Sequence, residues 1–309
     1  MPRVAWLFPG QGSQHVGMGR ELAQRHPAAV TAFDEATTAL GWDLRALAAD
    51  GPAEQLDLTV NAQPAIVTTS VAALRAALKA GLPVDDPICL GHSVGEYSAL
   101  VAAGALGLAD AARLVRKRGE LMQAGDSGGG MAAVLGLDSR AIERALEGSG
   151  VVVANDNAPG QVVISGPLAA MAAATVALKT AGAKRVLPLR VSGAFHSPAM
   201  KAVAPALRRA IDAATWAELR YTVIANVDAE PHEHVRDFPA LLEKQVWSPV
   251  RWVASIQRAA AMGVRTFIEF GAGNVLTGLV KRILPDARTF NVADASSLAA
   301  TLERTKGTT

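Results

Sequence analysis

The residues of this chain best suited to covalent chemistry are Gly91-His92-Ser93-Val94-Gly95. An apolar run, residues 87–90, enters this Gly-x-Ser-x-Gly and an Ala/Leu-rich helical pattern leaves it. A strand, a sharp turn and a helix are what a nucleophile elbow requires. Gly91 and Gly95 remove side chains where strand and helix crowd, so Ser93 can stand exposed in a strained turn. The following helix aims its N-terminal amides at whatever reacts there, which suits a developing oxyanion. A chance Gly/Ser turn is the plain alternative, and the flanks count against it.

A serine so placed needs a base, and the chain has six histidines. His232 and His234 lie in a Pro/Glu/Asp-bearing loop that reads as solvated rather than metal-binding. His26 falls in a polar helix, His15 in the first glycine loop, and His92 adjoins Ser93 but points away in the turn. His196 remains, after a strand and before a helix, where a loop can deliver a base; a packing histidine is the alternative. Among the acids between Ser93 and His196, neither Asp110, Asp126, Asp138 nor Asp156 makes a convincing third member. Another group, such as a backbone carbonyl, is therefore expected to orient the imidazole. The loop of residues 9–14 lacks the Lys-Ser/Thr of a P-loop and the spacing of a dinucleotide fingerprint. It reads as exposed backbone amide at the carboxyl end of a strand, where ligands bind in open α/β sheets.

These residues need a scaffold, and the hydrophobic pattern supplies one. Residues 4–8 read as a buried strand, 19–40 as helix interrupted at Pro27, and 63–78 as a helix before the elbow. Asp110 begins a helix over 111–122 that carries Arg116-Lys117-Arg118, and a Gly-rich break at 125–130 is the clearest linker. Strand 131–135, helix 139–147, strands 151–154 and 161–165, helix 168–181 and strand 185–191 then follow. That βαββαβ order matches a ferredoxin-like unit. Helix 197–214, strand 221–226, helices 238–243 and 253–262, strand 264–270, helix 275–283 and strand 289–292 complete the chain. The expected fold class is α/β with a mainly parallel, covered sheet. Its large domain comprises residues 1–126 and 192–309, with a small subdomain inserted at 127–191.

Half of the 309 residues are hydrophobic and 19% are charged, the composition of a folded protein. A net charge of +2 argues against a dedicated nucleic-acid binder. The single cysteine, Cys89, forms no internal disulfide and reads as core. No secretory signal is evident, and the apolar stretch 99–109 is short of the ~18 residues of a membrane span. A cytoplasmic location is expected, with no membrane partner.

Beyond the mechanism, Gly10-Gln-Gly-Ser-Gln14, Gly91-His-Ser-Val-Gly-Glu-Tyr-Ser98, Arg118-Gly119 and Asn157-Ala-Pro-Gly-Gln-Val-Val-Ile-Ser-Gly166 occur in a telling order. Gly193-Ala-Phe-His-Ser197, Gln245-Val-Trp-Ser-Pro-Val-Arg-Trp252 and Gly271-Ala-Gly-Asn-Val-Leu-Thr-Gly278 extend it. Together, over residues 4–292, they resemble the malonyl-CoA:acyl carrier protein transacylases. The resemblance implies an α/β-hydrolase-like large domain with a ferredoxin-like insertion. It implies Ser93 as acyl-accepting nucleophile, His196 as base and acid, and the backbone amides of Gln11 and Val94 as oxyanion hole. Arg118 would bind the malonyl carboxylate, the backbone carbonyl of Gln245 would hold the histidine ring, and His92, Phe195 and Asn157 would line the substrate pocket. The partners so implied are malonyl-CoA and an acyl carrier protein, with no metal, no cofactor and a monomeric enzyme. Arg116, Lys117, Lys184, Arg185, Lys281 and Arg282 are candidates for meeting the acidic carrier. Gly193-Ala-Phe-His196 resembles the malonyl-type version of its loop, and Ala272 stands where many relatives have proline. Rival readings are a trans-acting polyketide acyltransferase, a malonate decarboxylase transacylase subunit, a serine hydrolase or thioesterase, and a non-catalytic scaffold.

Overall fold

Three apolar runs of the sequence lie side by side in a computed structural model that describes residues 3–125, 128–191 and 193–305. They are β1 (Arg3–Phe8), β2 (Ile88–Gly91) and β9 (Val264–Phe270), with β1 central and both neighbours parallel to it. The full sheet runs β10 (Arg288–Val292), β9, β1, β2, β7 (Val223–Ile224), β8 (Pro231–His232). Only the β7–β8 pair is antiparallel, so the sheet is mainly parallel as expected.

The strands read as near-continuous apolar runs because helices cover both faces. Alternation sorts their side chains between two cores. Trp6, Phe8, Cys89, Ile268 and Phe270 face one, and Ala5, Leu7, Ile88, Leu90 and Phe267 the other. The helix Thr59–Lys79 fills the first core and is buried along most of its length. Its start lies four residues ahead of the expected helix over 63–78. Pro64 sits inside the helix, where it has no N–H to give Val60. Arg116 Nη1 reaches that Val60 carbonyl at 3.4 Å and Asn61 Oδ1 at 2.6 Å.

The second sheet has the order β4 (Val152–Ala158), β5 (Gln161–Pro167), β3 (Gly129–Leu135), β6 (Arg185–Pro188), all antiparallel. Helices Ser139–Ala145 and Leu168–Thr180 close their own core on it. This is the ferredoxin-like arrangement the pattern implied. The expected boundary positions 126, 127 and 192 lie outside the described residues. The two parts are laced together: Val250 N donates to Ala154 O (2.9 Å) and Asp156 N to Val250 O (3.0 Å).

Several elements differ from expectation. The strand expected over 221–226 has only Val223–Ile224 in the ladder, because Asn226 turns away to bond the elbow. β6 stops at Pro188, and Leu189, Arg190 and Val191 line a cavity instead. Residues 198–203 form a 3₁₀ turn before the helix Ala204–Asp212. Helices Leu44–Asp50, capped by Asp43, and Ala295–Thr305 were not read from the sequence at all.

Candidate active site

Ser93 stands between β2 and the helix Gly95–Ala102 with φ of 53°, a left-handed conformation that strains any residue but glycine. Crossing at this range leaves no room for β-carbons. One placed on Gly91 would lie 2.0 Å from the Gly95 backbone, and one on Gly95 would lie 2.1 Å from Phe8 O. The strained turn is pinned from below by Asn226, whose Oδ1 accepts from Ser93 N (2.7 Å) while its Nδ2 donates to Gly91 O (2.6 Å).

His196, also at positive φ (57°), presents Nε2 to Ser93 Oγ at 2.7 Å. Its Nδ1 lies 2.9 Å from Gln245 O and 3.1 Å from Ser248 O. Carbonyls only accept, so Nδ1 carries the proton and Nε2 is left bare toward the serine. Burial, with the nearby Arg118 charge, pushes the imidazole pKa down to about 3 and keeps the ring neutral. A backbone carbonyl does hold the ring, as expected in place of an acid, and a second one joins it. Asp110, Asp138 and Asp156 are engaged elsewhere, with Arg113, Ala141 N and Ser139. Asp126 lies outside the described residues.

Arg118, from the helix Leu108–Gly125, is 1% exposed despite its two basic neighbours. Its Nη1 donates to Gln63 Oε1 (2.8 Å), and its Nη2 donates to Gln245 Oε1 (3.0 Å) and Ser93 Oγ (3.1 Å). Every one of these partners is neutral. Burial pushes the guanidinium pKa down, with Tyr97 and Glu96 opposing it only in part. The ring of Tyr97 lies 5.9 Å from the guanidinium carbon.

These groups open into a cavity of about 470 Å³ between the two sheets. Gln11, Val94, His92, Asn157 and Phe195 line it, together with Met122, Met131 and Val163. Val94 caps the Gly95–Ala102 helix, so its N–H belongs to the first turn, which has no intrahelical acceptor. Gln11 sits in the turn after β1, its side chain tied to Thr59 Oγ1 (3.2 Å). His92 does point away from the serine: Nε2 meets Asn157 Oδ1 at 2.7 Å, and the ring packs 5.4 Å from that of Trp252.

A serine, a neutral imidazole and an unpaired guanidinium meeting in one cavity can support acyl transfer. Residues 5–306 match the model of the acyl transferase domain family. The chain belongs to that family.

This acyl transferase is similar to the malonyl CoA-acyl carrier protein transacylase of Bacillus subtilis, 46% identical over 99% of this chain and 98% of the relative. Among solved structures it resembles an acyl carrier protein S-malonyltransferase from Vibrio cholerae. That likeness has a TM-score of 0.93 at 41% identity, over 96% of this chain and 99% of the other. It also resembles a malonyl-transacylase solved in complex with its type II PKS acyl-carrier protein, at TM-score 0.93 and 40% identity over 98% and 99% of the two chains.

Sequence reasoning missed several contributors to the acyl transferase site. Gln63 was visible only as the residue before Pro64, Glu96 only as part of a motif, and Asn226 only as a strand end. Ser248 gave no signal beyond its place in a motif. His232 is not simply a solvated histidine. It lies 3.1 Å from both Asp228 Oδ2 and Asp237 Oδ2, which raise its pKa to about 9. No group of three or more potential metal ligands occurs among the described residues. Of the six basic docking candidates, Arg116 is held by Asn61 and Glu120, Lys117 pairs with Glu120, and Arg282 bonds Gln161 and Pro159 O.

Proposed function

We propose that this acyl transferase moves a malonyl group from coenzyme A to the phosphopantetheine thiol of an acyl carrier protein, through a malonyl ester on Ser93. The observation that carries the reading is Arg118: a buried cation, 3.1 Å from the nucleophile, whose partners are all neutral. Such a charge is costly unless an anion completes it, and the free carboxylate of malonyl does so as a bidentate partner. The names of the similar proteins support the same substrate pair.

In this reading His196 Nε2 takes the Ser93 proton as Oγ adds to the thioester carbonyl, and the oxyanion forms between the amides of Gln11 and Val94. Each aligned donor is worth about 3–4 kcal/mol in the transition state. Collapse breaks the C–S bond, and His196 returns its proton to the leaving CoA thiolate. The carrier thiol then enters, gives its proton to His196, and the steps run backwards to release Ser93. Gln245 O and Ser248 O hold the imidazole throughout, and His92, Phe195 and Asn157 shape the pocket. The reaction needs no metal or cofactor.

The reading is of a monomer. It is also of a cytoplasmic enzyme; no described helix is long and apolar enough to cross a membrane. It takes the small subdomain, residues 127–191, as one wall of the cleft between the flanking parts of the large one. The test is intact-mass spectrometry after malonyl-CoA, followed by a holo carrier protein. One malonyl adduct should form, disappear in Ser93→Ala, and pass to the carrier. Release as free malonate would identify a hydrolase, and no adduct a scaffold.

A further inference from the structure

Glu96 directly follows the elbow, in the first turn of the Gly95–Ala102 helix, and is completely buried. Its Oε2 accepts two hydrogen bonds, from Asn226 N (3.0 Å) and Gln245 Nε2 (2.9 Å), while Oε1 meets no partner among the described residues. Both donors are themselves clamps of the reacting groups. Asn226 fixes the backbone of Ser93 and Gly91. Gln245 donates to Ser93 O (3.1 Å), accepts from Arg118 through its side chain, and holds His196 through its main chain. The Gln245 amide therefore lies between a cation and a carboxyl group, its oxygen turned to Arg118 and its nitrogen to Glu96. Such a chain transmits polarisation from one end to the other.

We propose that Glu96 is a positioning residue of the transfer site and the buried countercharge of Arg118, acting through the Gln245 side chain. This rests on the malonyl reading above. A negative Glu96 partly offsets the guanidinium and weakens its pull on an acyl carboxylate; a neutral Glu96 leaves that pull at full strength. The site's preference for a carboxylate-bearing acyl group over a plain one is thus set from behind the nucleophile.

The experiment measures kcat/KM for malonyl-CoA and acetyl-CoA in the wild type, Glu96→Gln, Arg118→Ala and the double variant. Glu96→Gln keeps an acceptor oxygen for both clamps but removes the charge, so the malonyl-to-acetyl ratio should rise, roughly three- to tenfold. On the Arg118→Ala background the same substitution should leave the ratio where it is, because without the cation that opposes its burial Glu96 is already a neutral acid. A ratio unmoved by Glu96→Gln, or moved equally without Arg118, overturns the proposal. If Arg118→Ala itself leaves the ratio unchanged, the malonyl reading fails instead.

A thermal melt shows whether Glu96→Gln folds. Should it not, the wild type carries the test across pH 6 to 8. Burial, ahead of the opposing bonds from Gln245 and Asn226, raises the Glu96 pKa to about 7. Asp228, from the turn after β7, adds to the rise, and Arg118, from the Leu108–Gly125 helix, opposes it. Tyr97, on its own helix, is pushed far up by burial and stays a neutral phenol. The ratio should fall as pH rises and Glu96 ionises, while His196, common to both substrates, divides out. A flat ratio overturns the proposal.

Discussion

His196 and His232 both have each ring nitrogen within hydrogen-bond distance of a partner, and their surroundings drive them to opposite charge states. Burial, and after it the neighbouring Arg118 charge, pushes the His196 pKa down to about 3 against the opposing pull of its two carbonyl hydrogen bonds. His232 is half-buried between two carboxylates, and its pKa rises to about 9. At neutral pH the first is an imidazole with one bare nitrogen facing Ser93 Oγ; the second is an imidazolium locking the turn after β7. Burial decides the charge of one histidine and carboxylate partners decide that of the other.

The contrast breaks most sharply on removal of the two rings. His196→Ala should lower transfer roughly 10²–10⁴-fold, the usual worth of a positioned base. His232→Ala should leave transfer within about twofold, as a site away from the chemistry does. Single-turnover malonylation of Ser93 measures both, and comparable losses would erase the distinction.

Arg118, the cation beside the neutral histidine, comes next. On the proposed reading, Arg118→Ala leaves a buried malonyl carboxylate without its partner at a cost of about 3–5 kcal/mol, a loss of roughly a hundredfold to a few thousandfold in malonyl transfer. Acetyl transfer should fall less. It will not be wholly spared, because Arg118 also donates to Ser93 Oγ. Equal losses for the two acyl-CoA substrates would make the arginine a purely structural group.

The pH profile sharpens the comparison further. An ordinary imidazole would halve kcat/KM near pH ~6.5. With the folded-state pKa depressed, His196 stays neutral and the acid limb attributable to it should lie well below that value, toward 3. Rapid-quench malonylation between pH 7 and 5 checks this, and a midpoint near 6.5 would mean that burial does not govern the ring.

The smallest effect is on stability. His232 has a raised folded-state pKa, so its contribution is fully present below about pH 6.5 and is lost as pH rises through about 9. His232→Ala should therefore lower stability by about 1 kcal/mol at pH 6, and less at pH 10. Urea melts at the two pH values decide it. A difference of the opposite sign would show that His232 is held neutral.

The chemistry was legible where it was local. Ser93 and its glycines form one short motif, and His196 sits in a loop between a strand pattern and a helix. What stayed hidden joins residues far apart in the chain: Gln63 to Arg118, Asn226 to Ser93, Ser248 to His196. Neither periodicity nor propensity encodes such pairings, since each depends on how separate elements stack. Arg118 shows this best. Its inward role came only from the family resemblance, and packing against the Thr59–Lys79 helix is what turns its side chain in. The same holds for Pro64, since the Val60 carbonyl that it strands is met by Arg116, a residue 56 positions away. The ferredoxin-like part was read almost element by element, its strands being short apolar runs separated by clear turns and helices.

Cys89, one residue ahead of Leu90 in the strand that leads into Ser93, has a consequence for fidelity. Thioesters exchange readily with any accessible thiolate, so a protein that handles them risks stray self-labelling at its own cysteine. This chain has one sulfhydryl, completely buried on the core side of β2, and burial pushes its pKa far above the neutral range. It is both out of reach and un-ionised, so an acyl group entering the cleft meets no sulfur rival from Cys89. The only thiols left to compete for the group are those of the incoming and outgoing carriers.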